Sequence, residues 1–221
     1  MNKTIYSKVD KKEVNQLPIA SFKGRIIVIF TEQAAEKAVD YLLSTDILGV
    51  DTETRPSFRK GHACQVALLQ VSSRETCFLF RLNMIGMCAP IIRLLENKEV
   101  PMVGLSWHDD LRMLQKRKKF VPGRFIELQD MVGIIGIEDL ALQKIWAILF
   151  SEKISKRQRL TNWEAPVLSE SQKKYAALDA WACIQIYEEI KKLNSTHDFE
   201  LITEPQLHKT TENRETEHDE I

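Results

Sequence analysis

Apolar positions in the first part of the chain follow two different spacings, which separate predicted strands from predicted helices. The β-branched run at 24–30 predicts a strand. Residues 31–43 follow with alanines and leucines at helical spacing, and Thr31 can cap that helix. Three further apolar runs then predict consecutive strands in an antiparallel meander: 46–53, 64–73 and 75–82. A sheet with an early helix is expected.

The second half of the chain is predicted to be mostly helical after one more buried strand at 101–107. Short helices are expected at 89–97 and 108–119. Asp139 is expected to cap the helix that contains the run LQKIWAILF. Ser169 and Gln172 form a predicted capping box, which begins a helix that runs to about Leu193. This order of elements indicates a three-layer α/β fold.

Length and charge indicate one large folded domain with two unlike ends. The 221 residues are 44% hydrophobic, which is enough for a single sizeable core. The 31 basic and 31 acidic residues give no net charge. However, residues 203–221 hold six acids and two bases, which leaves 29 bases and 25 acids in the rest. We therefore predict a basic N-terminal arm at 1–23, a folded domain at 24–195 and an acidic, disordered tail at 196–221.

The cysteine spacing indicates neither a metal site nor a redox site, and the apolar runs indicate neither a signal peptide nor a membrane span. The cysteines, at 64, 77, 88 and 183, lack the close spacing of a zinc site or a redox pair, so free thiols are expected. The N-terminal residues are charged and lack the apolar core of a signal peptide, and no run reaches the length of a membrane span. The expectation is a soluble cytoplasmic protein with no membrane partner.

Asp51 and Glu53 are the first candidate site residues, because they end an apolar run that predicts a buried strand. Residues two apart on a strand project to the same face. Two adjacent carboxylates repel each other and are costly to bury unless a proton or a cation joins them. Metal binding is one interpretation. The alternative is a strand end that leaves the sheet, with both acids in solvent.

Tyr175 and Asp179 are one turn apart on the last predicted helix, so their side chains can converge. Small residues surround Asp179 in the sequence and favour close packing of that helix face. An aspartate on such a face needs a partner. The alternative has the Tyr175 ring packed in the core and Asp179 in solvent. A further acid, Asp110, lies in the first turn of the helix predicted at 108–119.

These three clusters together resemble the three exonuclease motifs of the DEDD superfamily, and the tyrosine indicates its DEDDy branch. The resemblance is to Werner-type and ribonuclease D-like 3′–5′ exonuclease domains and covers about residues 25–193. The stretches QVALLQVSSRETCFLF, LQKIWAILF and RLTNWEAPVLSESQKKYAALDAW also resemble that family. The resemblance implies a ribonuclease H-like three-layer α/β fold with a mixed five- or six-stranded sheet flanked by helices. The domain at 24–195 is then expected to be an exonuclease domain.

The resemblance also implies a reaction: metal-dependent hydrolysis from the 3′ end of DNA or RNA, which releases nucleoside 5′-monophosphates. Two divalent cations, Mg²⁺ or Mn²⁺, are expected as cofactors. The expected metal ligands are Asp51, Glu53, Asp110 and Asp179, and Tyr175 is expected to orient or activate the attacking water. Asp109 is the alternative to Asp110, which we favour because Leu114 supplies the apolar residue four positions later.

Substrate contacts are predicted at a basic segment and at one tryptophan. Lys156, Arg157 and Arg159 precede the last helix, and they either bind phosphates or form a solvated surface. Trp107 either stacks on a base or packs in the core. Arg55, Arg59, Lys60 and His62 follow the first motif, and a solvated loop is the better interpretation for each of them.

Two other functions remain as alternatives. One is a catalytically silent nucleic-acid-binding module of the same fold, which the presence of all four acids and the tyrosine disfavours. The other is a metal-dependent endonuclease, which Tyr175 disfavours.

Overall fold

A computed structural model of the chain describes residues 3–56 and 64–203. Its strands are β1 (Lys3–Tyr6), β2 (Arg25–Ile29), β3 (Leu48–Thr54), β4 (Val66–Ser72), β5 (Thr76–Arg81), β6 (Met102–Gly104), β7 (Phe125–Glu127) and β8 (Phe199–Ile202). Its helices are α1 (Lys11–Gln16), α2 (Glu32–Leu43), α3 (Leu82–Ile85), α4 (Ala89–Leu95), α5 (Trp107–Arg117), α6 (Gln129–Val132), α7 (Leu142–Phe150) and α8 (Glu170–Thr196). None of these helices combines the length and the apolar character that crossing a membrane requires.

Six strands form one mixed sheet in the order β2-β5-β4-β3-β6-β7. The meander β3-β4-β5 is antiparallel, as predicted, and its two hairpins bring β3 to the middle of the sheet. The other neighbours pair in parallel: β2 with β5, β6 with β3 and β7 with β6. The predicted α/β architecture, with a mixed sheet flanked by helices, is confirmed.

Two apolar cores lie on the two faces of this sheet. One core joins the sheet to α7 and α8, and Trp146, Trp163 and Ile186 are among its buried side chains. The other core joins the opposite face to α2, α4 and α5, and it includes Leu42 and Leu114. The sheet is therefore the middle layer of three, and its side chains alternate between the two cores.

Asp139 does not cap α7, contrary to the prediction. The helix begins three residues later, after Ala141, which makes no side-chain cap bond. The Asp139 carboxylate instead accepts a hydrogen bond from the Val9 backbone N–H at 2.9 Å and from Lys144 at 2.7 Å. Because Asp139 binds the backbone of Val9, which is distant in sequence, its carboxylate does not cap the nearby helix. The predicted capping box of α8, at Ser169 and Gln172, is present.

Both ends of the described chain fold against the domain. Strand β1 pairs in parallel with β8 in a separate two-stranded sheet, and Ile5 is fully buried beneath it. Residues 199–202, which the charge pattern assigned to a disordered tail, thus form a strand, because Phe199 packs on the core and the backbone of β1 supplies hydrogen bonds. The rest of the predicted tail, 204–221, lies outside the described residues.

Helix α8 approaches strand β3 so closely that only glycine fits at the crossing. A Cβ atom at Gly49 would lie 1.9 Å from the carbonyl oxygen of Ala180 and 3.0 Å from Ile184 Cγ1. Backbone atoms cannot retreat from such an overlap without moving the helix. The crossing therefore sets the distance between the central strand and the longest helix.

The substitution Gly49→Ala is expected to destabilise the fold by about 1–3 kcal/mol, because the added methyl group overpacks a rigid contact. Urea unfolding measures the change in the free energy of unfolding. Gly133→Ala is the matched control, since nothing lies within 4 Å of its added Cβ and its φ of −64° suits alanine. The control is expected to stay within about 1 kcal/mol of the wild type. Equal effects at the two positions would contradict the close-packing argument.

Candidate active site

Three carboxylates converge at the end of the central strand. Asp51, Glu53 and Asp179 each offer an oxygen, and these oxygens all lie within 4.8 Å of one another. Glu53 is 8% exposed and Asp179 is 5% exposed. The first motif and the third motif, about 130 residues apart in sequence, thus form one buried acidic group.

Strand alternation and the α8 crossing together produce this convergence. Gly49, Asp51 and Glu53 share one face of β3, and Gly49 marks that face as the one that α8 covers. Asp179 directly precedes Ala180, the residue whose carbonyl contacts Gly49. A shift in the β3–β4 register between Glu53 and Thr54 then ends the regular pairing at the site, as bulges beside functional sites often do.

Asp110 reaches the site from the opposite face of the sheet. Its carboxylate accepts a hydrogen bond from the Thr52 hydroxyl, and Thr52 lies between the two acids of the first motif. Its charge raises the pKa values of both Asp51 and Glu53. Asp109 instead points outward, where it is largely exposed and pairs with Arg112 at 3.1 Å. The geometry therefore favours Asp110 over Asp109 as the acid of the second motif.

Glu127 holds the helix that carries Asp110, a role that the sequence analysis missed. Its carboxylate accepts hydrogen bonds from the backbone N–H groups of Ser106 and Trp107 at 2.8 and 2.6 Å. Ser106 has a left-handed backbone with φ of 58° and makes no side-chain cap bond itself. An acid at a helix N-terminus stabilises the helix dipole. The cap comes from strand β7, so no local pattern near α5 reveals it.

Burial raises the pKa values of all four carboxyls, and neighbouring negative charges add to the shift in three of them. Burial raises the pKa of Asp51 well above its usual value, and the charges of Asp179 and Glu53 raise it further. Burial, followed by the charge of Asp179, raises the pKa of Glu53 to about 9. Burial raises the pKa of Asp110 to about 6, although the Thr52 hydrogen bond opposes this shift. Burial also raises the pKa of Asp179. Without a counter-charge, the group retains protons near neutral pH.

The acidic group fits a hard divalent cation. All of its donor atoms are carboxylate oxygens, the ligands that Mg²⁺ and Mn²⁺ prefer. Asp179 Oδ1 is buried and has no hydrogen-bond partner within the described part of the chain. An unpaired buried carboxylate oxygen is costly, and a cation would satisfy it.

Tyr175 lies beside the carboxylates on α8. Its ring packs at 6.0 Å, between centroids, from the fully buried ring of Trp163. Burial raises the pKa of the Tyr175 phenol, and the charges of Asp179 and Glu53 raise it further. The phenol is therefore held next to the acidic group and keeps its proton.

Two of the predicted substrate residues lie near the acids, and a third lines a neighbouring cleft. The positive charge of Lys156 lowers the pKa of Asp179 and that of Arg159 lowers the pKa of Glu53, so both cations lie close to the acids. Arg157 lines a cleft that also contains Tyr175.

The base-stacking role suggested for Trp107 is wrong. Its ring is 2% exposed and packs on Phe125 at 5.5 Å between centroids, so neither face is open to a base. Arg55 pairs with Glu164 at 3.2 Å. Arg59, Lys60 and His62 lie outside the described residues.

Comparison with known proteins places the chain in a family. A family model described as 3′-5′ exonuclease matches residues 26–194. The chain is 27% identical over 196 residues to the bifunctional 3′-5′ exonuclease/ATP-dependent helicase WRN of Mus musculus, covering 82% of this chain and 14% of that protein. It is 28% identical over 201 residues to a 3′-5′ exonuclease of Arabidopsis thaliana, covering 80% of this chain and 67% of that protein. The chain belongs to the 3′-5′ exonuclease domain family.

Solved structures show the same fold. The EXO domain of Nibbler from Aedes aegypti superimposes with a TM-score of 0.70 at 17% identity, covering 82% of this chain and 95% of that one. The expected ribonuclease H-like fold is confirmed, and so is the resemblance to the DEDDy exonucleases.

The metal-free protein is expected to lose stability as pH rises from about 5 to about 9. The carboxyl pKa values, about 6 for Asp110 and about 9 for Glu53, exceed the value of about 4 in the unfolded chain. The folded state therefore binds more protons in this window, and raising the pH favours unfolding. Thermal unfolding in EDTA should show a fall on the order of 5 °C in Tm.

Saturating Mg²⁺ should reduce this fall, because a cation replaces the retained protons. The variant Asp51→Asn should also flatten the dependence in EDTA, since it removes one of the mutually repelling charges. A metal-free protein that is as stable at pH 9 as at pH 5 would contradict the directions of these pKa shifts.

The variant Asp110→Asn is expected to lower the rate of 3′-end hydrolysis by about 10–100-fold, as loss of a supporting acid at a metal site does. Asp109→Asn is the matched control, and its rate should stay within about twofold of the wild type because the side chain is exposed. The measurement is the initial rate on a labelled oligonucleotide with Mg²⁺. A larger loss in Asp109→Asn would assign the second motif to that residue instead.

Proposed function

We propose that the chain is a metal-dependent 3′–5′ exonuclease that hydrolyses phosphodiester bonds from nucleic-acid 3′ ends and releases nucleoside 5′-monophosphates. The convergence of Asp51, Glu53 and Asp179 is the observation that carries this proposal. Membership of the 3′-5′ exonuclease family supports the direction of attack. The substrate is proposed as DNA or RNA. The site residues would act on the phosphodiester group, which both nucleic acids contain.

The carboxylates are proposed to hold two divalent cations, Mg²⁺ or Mn²⁺. Asp51, Glu53 and Asp179 would be direct ligands, and Asp110 would act from the other side of β3. When bound, such cations would stabilise the negative charge that develops on the attacking and leaving oxygens. Thr52 fixes the Asp110 carboxylate by its hydrogen bond, and Glu127 fixes the helix behind it.

Tyr175 is proposed to orient the attacking water. The phenol retains its proton, so it donates a hydrogen bond and does not act as a base in the metal-free state. Its ring packs against the buried ring of Trp163, which supports the position of the phenol beside the acidic group. Holding the water in position reduces the entropic part of the activation barrier.

Lys156 and Arg159 are proposed to receive the phosphates next to the cleaved bond. A polyanion that approaches four carboxylates meets repulsion, and cations beside the acids reduce it. Both residues are exposed and close enough to the acids to lower their pKa values. Lys156 and Arg159 can therefore contact a substrate that enters from solvent while they remain beside the carboxylates.

The test is degradation of a 5′-labelled oligonucleotide by the full chain, with DNA and RNA in single-stranded, duplex and 3′-recessed forms. Shortening by single nucleotides from the 3′ end is expected with Mg²⁺ or Mn²⁺, with 5′-monophosphates as products. Asp51→Ala should lower the rate by a factor of about 10³ or more. Tyr175→Phe should lower kcat about 10²-fold.

Tyr187→Phe is the matched control for the tyrosine, since it removes a hydroxyl from the same helix about two turns away from Asp179. It should retain the wild-type rate. Undiminished activity in Asp51→Ala would overturn the metal-ion proposal. Fragments from internal cleavage would support an endonuclease, and binding without any cleavage would support a catalytically silent module.

A further inference from the structure

Two clefts lie side by side at the segment 153–157 and share part of their lining. The first cleft has a volume of about 580 Å³ and lies between residues 19–23 and the start of α8, with Tyr175 in its wall. The second has a volume of about 610 Å³ and lies between α1, α7 and the same segment. Ile19, Ser155 and Arg157 line both clefts, so each opens beside the other. We call this surface the basic groove.

Seven cationic side chains line the basic groove: Lys11, Lys23, Lys144, Lys153, Lys156, Arg157 and Lys174. Among the residues that the structure describes, no carboxylate lines either cleft. This segregation is large for a chain that has 31 basic and 31 acidic residues. A chance sample of that surface would contain acids and bases in similar numbers. The groove is therefore a local positive surface on a neutral chain.

Most of these cations have no internal counter-charge. Lys144 pairs with Asp139 at 2.7 Å, and Lys153 donates to a backbone carbonyl of α1. Within the described ranges, Lys11, Lys156 and Arg157 form no ion pair with a carboxylate. Like charges that crowd together without a counter-ion destabilise the fold, and a bound polyanion would relieve that repulsion.

Lys156 links the basic groove to the acidic group. Burial lowers its pKa, and the charges of Arg159, Lys11 and Lys144 lower it further, whereas Asp179 raises it. Lys156 thus lies within electrostatic range of Lys11 at the far end and of Asp179 at the site. Tyr175 lines the near end itself. The groove leads from the candidate active site to helix α1.

The N-terminal segment is held in this position by backbone contacts. The Ala20 N–H donates to the Lys153 carbonyl at 2.9 Å, and the Lys153 N–H donates to the Pro18 carbonyl at 2.8 Å. Residues 3–23 lie outside the range 26–194 that matches the exonuclease family. Lys11 and Lys23 therefore lie outside the stretch that the family model matches.

We propose that the basic groove binds the sugar–phosphate backbone of the single strand that leads to the cleaved 3′ end, with Lys11 at its far end. This inference rests on the proposed function and names its extended substrate contact. Each cleft has the volume of a small-ligand pocket, which suits one or two unpaired nucleotides. Tyr175, which is half-buried in the wall of the first cleft, places an aromatic ring among the cations, the combination that binds single strands.

The test compares Lys11→Glu with Lys12→Glu in the full chain. Lys11 lines the groove and its neighbour Lys12 does not, yet both are exposed in the first turn of α1. Both substitutions change the charge equally, and both place an acid where the helix dipole favours one. Any difference between the variants therefore reports the position of the charge, and equal thermal unfolding midpoints verify that both fold.

Binding is measured by fluorescence anisotropy of labelled single-stranded oligonucleotides of 12 and 2 nucleotides, in EDTA to prevent cleavage. Lys11→Glu is expected to weaken binding of the 12-mer about three- to tenfold and to reduce the salt slope of log K by about 0.7. The loss for the 2-mer should be smaller, since two nucleotides fill one cleft and do not span the groove. Lys12→Glu should bind both strands within about twofold of the wild type.

Equal effects of the two variants, equal losses for the two lengths, or no wild-type binding of the 12-mer would each overturn this inference. Hydrolysis by the wild type with Mg²⁺ separates it from the proposed function. A wild type that degrades the 12-mer while both variants bind it equally keeps the exonuclease proposal and removes the groove. A wild type that binds through Lys11 but never cleaves keeps the groove and removes the exonuclease proposal.

Discussion

The close approach of helix α8 to strand β3 is the constraint on which the candidate site depends. The Ala180 carbonyl occupies the space that a side chain at position 49 would need. Asp179 precedes that contact by one residue, and Asp51 follows Gly49 by two positions on the same face of the strand. Small residues on the helix, such as Ala176 and Ala177, allow this separation. A helix held further away would leave its aspartate apart from the strand acids.

This packing works against electrostatics. Burial raises the pKa values of Asp51, Glu53 and Asp179, and repulsion adds to the shift for Asp51 and Glu53, so bringing the three together costs free energy in the absence of a cation. Two apolar cores, one on each face of the sheet, offset that cost and hold the strand in place. The site therefore lies on a strand that is packed on both faces. A less rigid support would relax by separating the carboxylates, and the cation site would be lost.

Elements formed by one continuous apolar run were predicted well, and those that depend on distant partners were not. The meander and α8 follow from periodicity and from a local capping box. Strands β1, β7 and β8 have three or four residues each, too few for a period, and pairing with distant segments defines them. Glu127 caps α5 for the same reason: β7 delivers it from 20 residues away.

Sequence could identify the acids of the site as a set but could not choose between neighbours. Asp109 and Asp110 are consecutive on a helix, so their side chains diverge by about 100°. Which of them faces the sheet depends on where α5 docks, and the Thr52 hydroxyl marks that place. Likewise, Trp107 suits either a base or the core by composition alone. The αL turn at Ser106 and the Glu127 cap start the helix at Trp107 and turn its ring inward.

Helix α8 also connects the acidic site to the basic groove. Its first half carries Tyr175 and Asp179, and its last residues lead into β8, which pairs with β1. That pairing ties the N-terminal segment to the domain and delivers α1 to the side of α7. A whole-chain charge of zero conceals this arrangement, since the acidic group and the cations of the clefts occupy separate surfaces of the domain. Because one helix positions the carboxylates and anchors the strand that precedes Lys11, a change in its packing should alter both charge surfaces together.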